Sequence, residues 1–319
     1  MLLHKLSVLG ILDREHKWFE NYLSARTQVV RFQGVLSESE PIVTGVPQGS
    51  ILGPLLFVIH VNDLPDIVRH CSILMYADDT VLFFSGVSAS IIEDKLNAEL
   101  ELVGSWLVDN SLFLNITKTE SVLFGTHHKL SQVSDFNILF NGCLIKRVFE
   151  FKYLGIVFDE CISWNSHIQY ILSRAGKRLG MLGRIRNNLT SHCANIIYTS
   201  YIRPVLEYCD TVWGCCGIGN ATSLEKLQRR AARIVTRMGE SDRALDAIKW
   251  PSLQSRRDEH IFKLVKKCIK GHCPQFFNKY FTFNNAIHSR ITRQSNMLHL
   301  PRVRTEMAKK SFYYHGCIV

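Results

Sequence analysis

The sequence predicts an α+β protein, with strands and helices mixed through its first half and helices alone after residue 164. Three observations lead there. β-Branched and aromatic runs separated by polar turns occupy residues 27–45, 72–86 and 119–159. Apolar residues recur at helical spacing over residues 90–109 and again from residue 167 onward. Charge also divides along the chain: residues 1–130 hold 9 Lys and Arg against 15 Asp and Glu, whereas residues 131–319 hold 29 against 13. With 319 residues, 46% of them hydrophobic, the chain is long enough for two or three packed modules and too apolar for disorder. A basic half points to a polyanionic partner, most often nucleic acid, against the alternative of a solvated basic surface.

The opening MLLHKLSVLGIL is not a signal peptide, because His4 and Lys5 interrupt the apolar run and Asp13, Arg14 and Glu15 follow at once. Its leucines at 2, 6, 9 and 12 predict the buried stripe of a helix that continues to about residue 24. Val29, Val30, Phe32, Val35, Ile42 and Val43 flank a polar turn and predict a strand pair. Residues 41–62 carry no charged side chain, yet Pro41, Pro47, Gln48, Gly49 and Pro54 argue against a membrane span; the stretch reads as a glycine-rich turn and an apolar helix over residues 52–64. SILMY and VLFFSG are two apolar strands meeting at ADDT. A helix over residues 90–109 follows, with a capping box at Ser90 and Glu93 and a stripe of Ile92, Leu96, Leu100, Val103 and Leu107. TESVLFG predicts a strand, residues 125–135 a linker, and ILFNGCLIKRV with FEFKYLGIVFD a hairpin plus a strand.

Beyond Trp164, HIQYILSRAGKRLGMLGRI sets Ile168, Ile171, Leu172, Ala175, Leu179 and Leu182 on one side and Arg174, Lys177, Arg178 and Arg184 on the other. TSLEKLQRRAARIVTRM repeats the design, with Leu224, Leu227, Ala231, Ile234 and Met238 inward, a basic ridge of Lys226, Arg229, Arg230, Arg233 and Arg237, and Thr222 and Glu225 as its cap. A third helix ends at Gly271. Solvated helix faces usually mix signs and these ridges barely do, which favours phosphate contact over a plain solvated face. The ten cysteines include no CxxC pair and read as reduced and buried; Cys209, Cys215 and Cys216 suggest zinc only weakly, since their spacing fits no standard ligand pattern.

Asp78 and Asp79 raise the central question. They cap a tight surface turn, or they bind metal. Asp-Gly is the usual choice for such a turn, and apolar flanks on both sides predict a hairpin buried on both faces, where two carboxylates need a cation. Mg²⁺ takes carboxylate oxygens and leaves positions for water and substrate phosphates, and two such ions drive attack of a hydroxyl on a phosphate.

YADD at residues 76–79, after GVPQGSILGPLLFVIHVNDLP at 45–65, resembles the polymerase module of reverse transcriptases from non-LTR retrotransposons. LFLNITKTESVLFG at 112–125 resembles its fourth motif and FEFKYLGIVFD at 149–159 its primer-grip region, while the basic helical remainder is similar to the thumb and beyond in Jockey-like elements. The resemblance implies a right-hand palm and partial fingers over residues 1–160 (motifs B to E, without motif A), a basic helical thumb over 161–245 and a helical extension over 246–319. It implies an RNA-directed DNA polymerase with Asp78 and Asp79 as catalytic metal ligands for a pair of Mg²⁺ ions. Tyr76 and Ala77 would lie under the primer end and incoming nucleotide. Gln48 and Gly49 would contact the nucleotide, against a simple turn leading into a helix; Lys118 would be a proton donor or charge partner for pyrophosphate, against an exposed loop lysine. The two basic ridges would track an RNA template and DNA primer, with deoxynucleoside triphosphates as substrates.

In the family a strand bearing a further Asp precedes the segment that opens this chain. The resemblance therefore implies truncation at both ends, an incomplete metal site, an apolar sheet edge beside the hairpin and impaired polymerisation. The competing expectation is a non-catalytic nucleic-acid-binding remnant. An intracellular site of action, in the nucleus or cytoplasm, follows from the same resemblance.

Overall fold

A lysine ammonium with three oxygen partners explains how the first helices are joined. The computed structural model describes residues 1–42, 45–47, 49–287 and 293–318, and it divides into two units: Met1–Ser121 with Val133–Arg147, and Val122–Gln132 with Val148–Val319.

In the first unit, α1 (Leu2–Val8) and α2 (Asp13–Leu23) replace the single helix expected to residue 24. The chain breaks at Gly10, whose φ is +86°. Of the leucine stripe only Leu6 is buried, and Leu9 and Leu12 are exposed. Lys5 on α1 donates to the carbonyl of His60 (2.5 Å), to Asp63 Oδ1 (2.6 Å) and to Asn110 Oδ1 (2.7 Å), and lies 5.1 Å from the Trp106 ring centroid.

The expected strand pair forms as two nested ladders: β1 (Arg26–Gln28) with β4 (Glu40–Ile42), and β2 (Arg31–Phe32) with β3 (Val35–Leu36). Val43 lies outside the described residues. The helix expected over 52–64 is split into α3 (Gly53–Val61) and α4 (Leu64–Ile67). The strands β5 (Ser72–Tyr76) and β6 (Asp79–Phe83) pair antiparallel. Next comes α5 (Ala89–Asp109), capped by Ser88, whose hydroxyl accepts from Ile91 N–H, rather than by Ser90. Glu93 accepts instead from Asn137 N–H at 3.0 Å, so it fixes the later chain and not the helix start. TESVLFG yields only β7 (Glu120–Ser121), paired in parallel with β10 (Lys146–Arg147). Between them, β8 (Leu139–Phe140) and β9 (Cys143–Leu144) form a hairpin whose Asn141–Gly142 turn has φ values of 47° and 76°. The unit's core gathers Val61, Leu64 and Trp106 with Ile73, Met75, Val103 and Leu107.

Buried between α5 and the start of β5 lies a carboxylate that the apolar stripe gave no reason to expect. Glu99 is 1% exposed, and it accepts from the backbone N–H groups of Arg69 (3.0 Å) and His70 (2.6 Å). Those two amides lie in the α4–β5 connection, one residue past the Val68 N–H that still bonds back to the Pro65 carbonyl of α4. Glu99 thus substitutes for the missing ladder and fixes where β5 begins.

The second unit includes α6 (His127–Leu130). FEFKYLGIVFD, expected as one strand, is a hairpin of β11 (Glu150–Tyr153) and β12 (Ile156–Asp159), closed by Leu154–Gly155 with φ values of 44° and 86°. Asp159 accepts from the N–H groups of Cys161, Ser163 and Trp164, and this knot delivers the chain into α7 (Asn165–Ile185). On α7 the expected inward residues Ile168, Ile171, Ala175, Leu179 and Leu182 are all buried, and Leu172 packs at the edge. Then follow α8 (Ser191–Ile197), a π-helical turn at Tyr198–Ile202, α9 (Arg203–Glu207), α10 (Asp210–Trp213), α11 (Ile218–Thr236), α12 (Ser241–Ile248) and α13 (Leu253–Ile269).

Helix α11 starts four residues before its expected cap. Thr222 and Glu225 consequently lie inside it: the Thr222 hydroxyl donates to the Ile218 carbonyl, and Glu225 accepts from Gln254 N–H. Its buried face is Leu224, Gln228, Ala231, Ala232 and Val235; Leu227 and Ile234 are half-buried, and Met238 is exposed past the helix end. Gln228 is tolerated in the core because it accepts from the Tyr198 hydroxyl (3.0 Å) and donates to the Pro251 carbonyl (2.8 Å). Among the described residues no helix is long and apolar enough to cross a membrane.

Two expectations follow from these buried polar groups. Glu99→Ala removes the shared acceptor of two backbone donors and lowers unfolding free energy by about 1–3 kcal/mol, whereas exposed Glu101→Ala stays within about 0.5 kcal/mol; denaturant titration compares them. His167 on α7 is 1% exposed, accepts from Val157 N–H through Nδ1, and is pushed by burial down to about 4. The unfolded chain takes up this proton near the ordinary value of 6.5 and the folded chain resists it, so His167 is neutral in favour of folding above 6.5 and that stability is lost as pH falls from 6.5 towards 4. Between about pH 7 and about pH 5 this amounts to about 2 kcal/mol, and His167→Asn, which retains an acceptor but does not titrate, flattens that part of the acid limb in denaturant midpoints read at both pH values.

Candidate active site and nucleic-acid interface

In the first unit, the register of β5 and β6 sets Tyr76 opposite Asp79, leaving Ala77 and Asp78 as the two turn residues. Ala77 has φ +53°, a left-handed conformation costing an alanine about 1–2 kcal/mol, and such strain collects at functional turns. Alternation along the strands gives the hairpin two unlike faces. Ile73, Met75 and Leu82 form the half-buried one, and Ile73 and Met75 pack against the core of α3, α4 and α5. Leu74, Tyr76, Asp79 and Phe83 share the other face and are exposed. The expected hairpin buried on both faces is therefore corrected: β5 and β6 form a two-stranded sheet with one face open, because only their other face meets a helix layer.

Both carboxylates are exposed, and neither has an ion-pair partner among the described residues. Their presence at the tip follows from the turn and not from forced burial. Adjacent hard oxygen donors with no neutralising cation suit Mg²⁺ chemically. Among the described residues, however, no group of three or more His, Cys, Asp or Glu side chains stands ready to hold a metal ion. That includes Cys209, Cys215 and Cys216, of which the first is exposed, the second contacts the Lys310 carbonyl and the third is buried. The donor set fits a cation shared with substrate phosphates and does not fit an all-protein cage.

The other candidates lie on ordered turns. Gln48 falls outside the described residues. Gly49 has φ +76°, and the Ser50 hydroxyl beside it donates to the Pro47 carbonyl and accepts from Gly53 N–H, which ties the turn to the first residue of α3. The proline–glycine reading overlooked the Ser50 hydroxyl as the group that closes this turn onto the start of α3. Lys118 is exposed on a turn tied by Asn115, whose carbonyl and side chain both accept from Lys118 N–H. No hydrogen bond or ion pair among the described residues links Gly49 or Lys118 to the hairpin.

In the second unit, Arg174, Lys177 and Arg184 on α7 are exposed and Arg178 is half-buried. Lys226, Arg229, Arg230 and Arg233 on α11 are exposed as one ridge; Arg229 reaches Asp242 at 3.3 Å, an exposed pair of small energetic weight. Arg237 leaves that ridge. It is the left-handed C-cap, with φ +63°, and its guanidinium turns back to donate to the carbonyls of Arg186 and Asn187. Burial holds the Arg186 guanidinium below the ordinary arginine range, with the nearby Arg237 charge acting in the same direction. Arg186 itself, absent from the sequence reading, donates to the carbonyls of Leu189, Ile234 and Val235 and closes the C-terminal end of α11.

Residues 2–158 match the family Reverse transcriptase (RNA-dependent DNA polymerase). The chain is similar to a probable RNA-directed DNA polymerase from transposon BS of Drosophila melanogaster, 29% identical over 71% of this chain and 27% of the relative. It is similar to the RNA-directed DNA polymerase from the mobile element jockey of the same species, 29% identical over 68% of this chain and 24% of the relative. A putative 115 kDa protein in the type-1 retrotransposable element R1DM is 27% identical over 66% of the chain and 20% of its own length. The chain thus spans about a quarter of the length of the curated relatives it matches. The matched segment contains the whole β5–β6 hairpin with both carboxylates at its tip, and this part of the chain, residues 2–158, matches the reverse transcriptase family and is similar to relatives from Jockey-like and R1 retrotransposons.

Proposed function

We propose that this chain is the palm-and-thumb portion of an RNA-directed DNA polymerase, extending a DNA primer by deoxynucleotides on an RNA template. The observation that carries the reading is the pair Asp78–Asp79, exposed at the tip of a hairpin whose opposite face is anchored in a helical core. Asp78 and Asp79 would hold the divalent cation, completed by water and by the phosphates of the incoming nucleotide. When bound, Mg²⁺ acidifies the primer 3′-hydroxyl and stabilises the leaving oxygen. Tyr76 shares the open face with Asp79 and offers its ring to the primer end, and Ala77 keeps the turn narrow. Gly49 offers a backbone without a side chain to the nucleotide, with Gln48 beside it. Lys118, exposed on its Asn115-tied turn, is free to meet the charge of pyrophosphate. The ridges of α7 and α11 follow template and primer phosphates through Arg174, Lys177, Arg178, Arg184, Lys226, Arg229, Arg230 and Arg233. Such an enzyme works inside the cell, in nucleus or cytoplasm.

Primer extension on an RNA template with purified chain and Mg²⁺ tests the reading. Asp78→Asn is expected to lower synthesis by at least about 100-fold while leaving binding of an RNA–DNA hybrid in place. Binding without any cation-dependent synthesis would identify a nucleic-acid-binding module instead. Substituting Arg229, Arg230 and Arg233 together by Gln is expected to weaken hybrid binding and to reduce the slope of log affinity against log salt by about three.

A further inference from the structure

Three surface groups at the start of α7 make an arrangement that the basic ridge does not account for. Lys152 on β11 and Arg174 on α7 both donate to one oxygen, the Tyr170 hydroxyl, at 2.9 Å and 3.1 Å. Both cations also lie over the Tyr170 ring, 4.7 Å and 5.4 Å from its centroid. Neither has a carboxylate partner among the described residues. Two like charges converging on one neutral atom repel each other, and a solvated surface would let them part.

A phenol oxygen has two lone pairs and one proton. Here both lone pairs are taken by cations, so the O–H can only point outward as a donor. The Lys152 bond, with the nearby Arg174 charge, also draws Tyr170 below the ordinary tyrosine range, which makes its O–H a stronger donor. A fourth partner must therefore accept from a hydroxyl and neutralise an ammonium and a guanidinium at once. A phosphate does this: it offers several acceptor oxygens and negative charge, and Arg presents a fork that matches them.

We infer that Lys152, Tyr170 and Arg174 form a binding site for one nucleic-acid backbone phosphate, with the Tyr170 hydroxyl as its central donor. The inference rests on the reading of this unit as a nucleic-acid interface and adds to it a lysine from the β11–β12 hairpin and a tyrosine, so that hairpin and helix grip the same phosphate. The next arginine along α7 has a related seat, one turn away: Arg178 lies 4.1 Å from the Tyr201 ring centroid and donates to the Tyr201 carbonyl. On this face tyrosines orient the cations without cancelling their charge.

Fluorescence anisotropy of a labelled RNA–DNA hybrid, titrated with the full chain across a salt series, tests the site. Lys152→Gln with Arg174→Gln is expected to weaken binding and to reduce the log–log salt slope by about one, since the two cations serve one phosphate. Tyr170→Phe, which removes no charge, is expected to weaken binding about three- to tenfold with the slope unchanged. Thermal unfolding should be unchanged in all of these variants, since Lys152 and Arg174 are exposed and Tyr170→Phe keeps the half-buried ring that packs against the core. A slope loss near two in the double variant would mean two separate phosphates and would overturn the shared site, as would unchanged binding. The triple Gln variant of Arg229, Arg230 and Arg233 separates the layers: if it weakens binding while Lys152, Tyr170 and Arg174 variants do not, the interface stands and this site falls. If the chain binds no hybrid at all, both fall together.

Discussion

The placement of the Asp78–Asp79 turn depends on a carboxylate that never meets it. Glu99 gathers the Arg69 and His70 amides, which end one residue short of the start of β5. A two-stranded hairpin has little stability of its own in water. It is held here by Ile73 and Met75 against the helix layer on one face and by Glu99 at its base. Lys5 works at the other end of the same layer, joining α1 to the α3–α4 junction and to Asn110 at the end of α5. The exposed tip is thus an unsupported projection from a base in which each buried charge is matched by hydrogen bonds.

The second unit uses polar groups differently. Its core is larger and more helical, and its polar side chains tie elements together: half-buried Asp159 where the chain enters α7, buried Arg186 where α11 ends, and buried Gln228 bridging Tyr198 and Pro251. On its surface Arg174 and Arg178 of α7 are paired with aromatic rings, and the cations of α11 are mostly left to solvent. A carboxylate partner cancels the field of a cation, whereas a ring keeps it and still restricts its motion. A helix whose arginines rest on tyrosines presents positive charge in a fixed geometry.

The sequence was most legible where one physical pattern acted alone. The inward residues of α7 follow a clean helical period, and β5 and β6 are apolar runs interrupted at one place; β5 keeps its expected bounds, α7 starts two residues early, and β6 is shifted two to three residues towards the turn. It was less legible where a single polar side chain overrides the pattern. Ser88 displaces Ser90 as the cap of α5, and α11 runs back past Thr222 to Gly217, since local propensity permits either start and tertiary packing chooses. Apolar composition also misled at the hairpin: Leu74 and Phe83 resemble core residues, yet composition does not say whether a second layer covers them. Glu99 and Lys152 carried no signal, because their roles come from partners about 30 and 18 residues distant.

The π-helical turn at Tyr198–Ile202 ties helix geometry to the basic face. Pro204 follows two residues later, and its ring would crowd the carbonyl of Ser200 in a regular helix. Widening by one residue relieves that crowding, and the N–H of Arg203 reaches back to Tyr198. The widened turn keeps Tyr198 and Ile202 in the core while Tyr201 turns outward beneath Arg178. Segment length here acts as a phase setting: dropping one amino acid would rewind the turn by about 100°, carry the aromatic seat away from its guanidinium and leave the neighbouring helices in place.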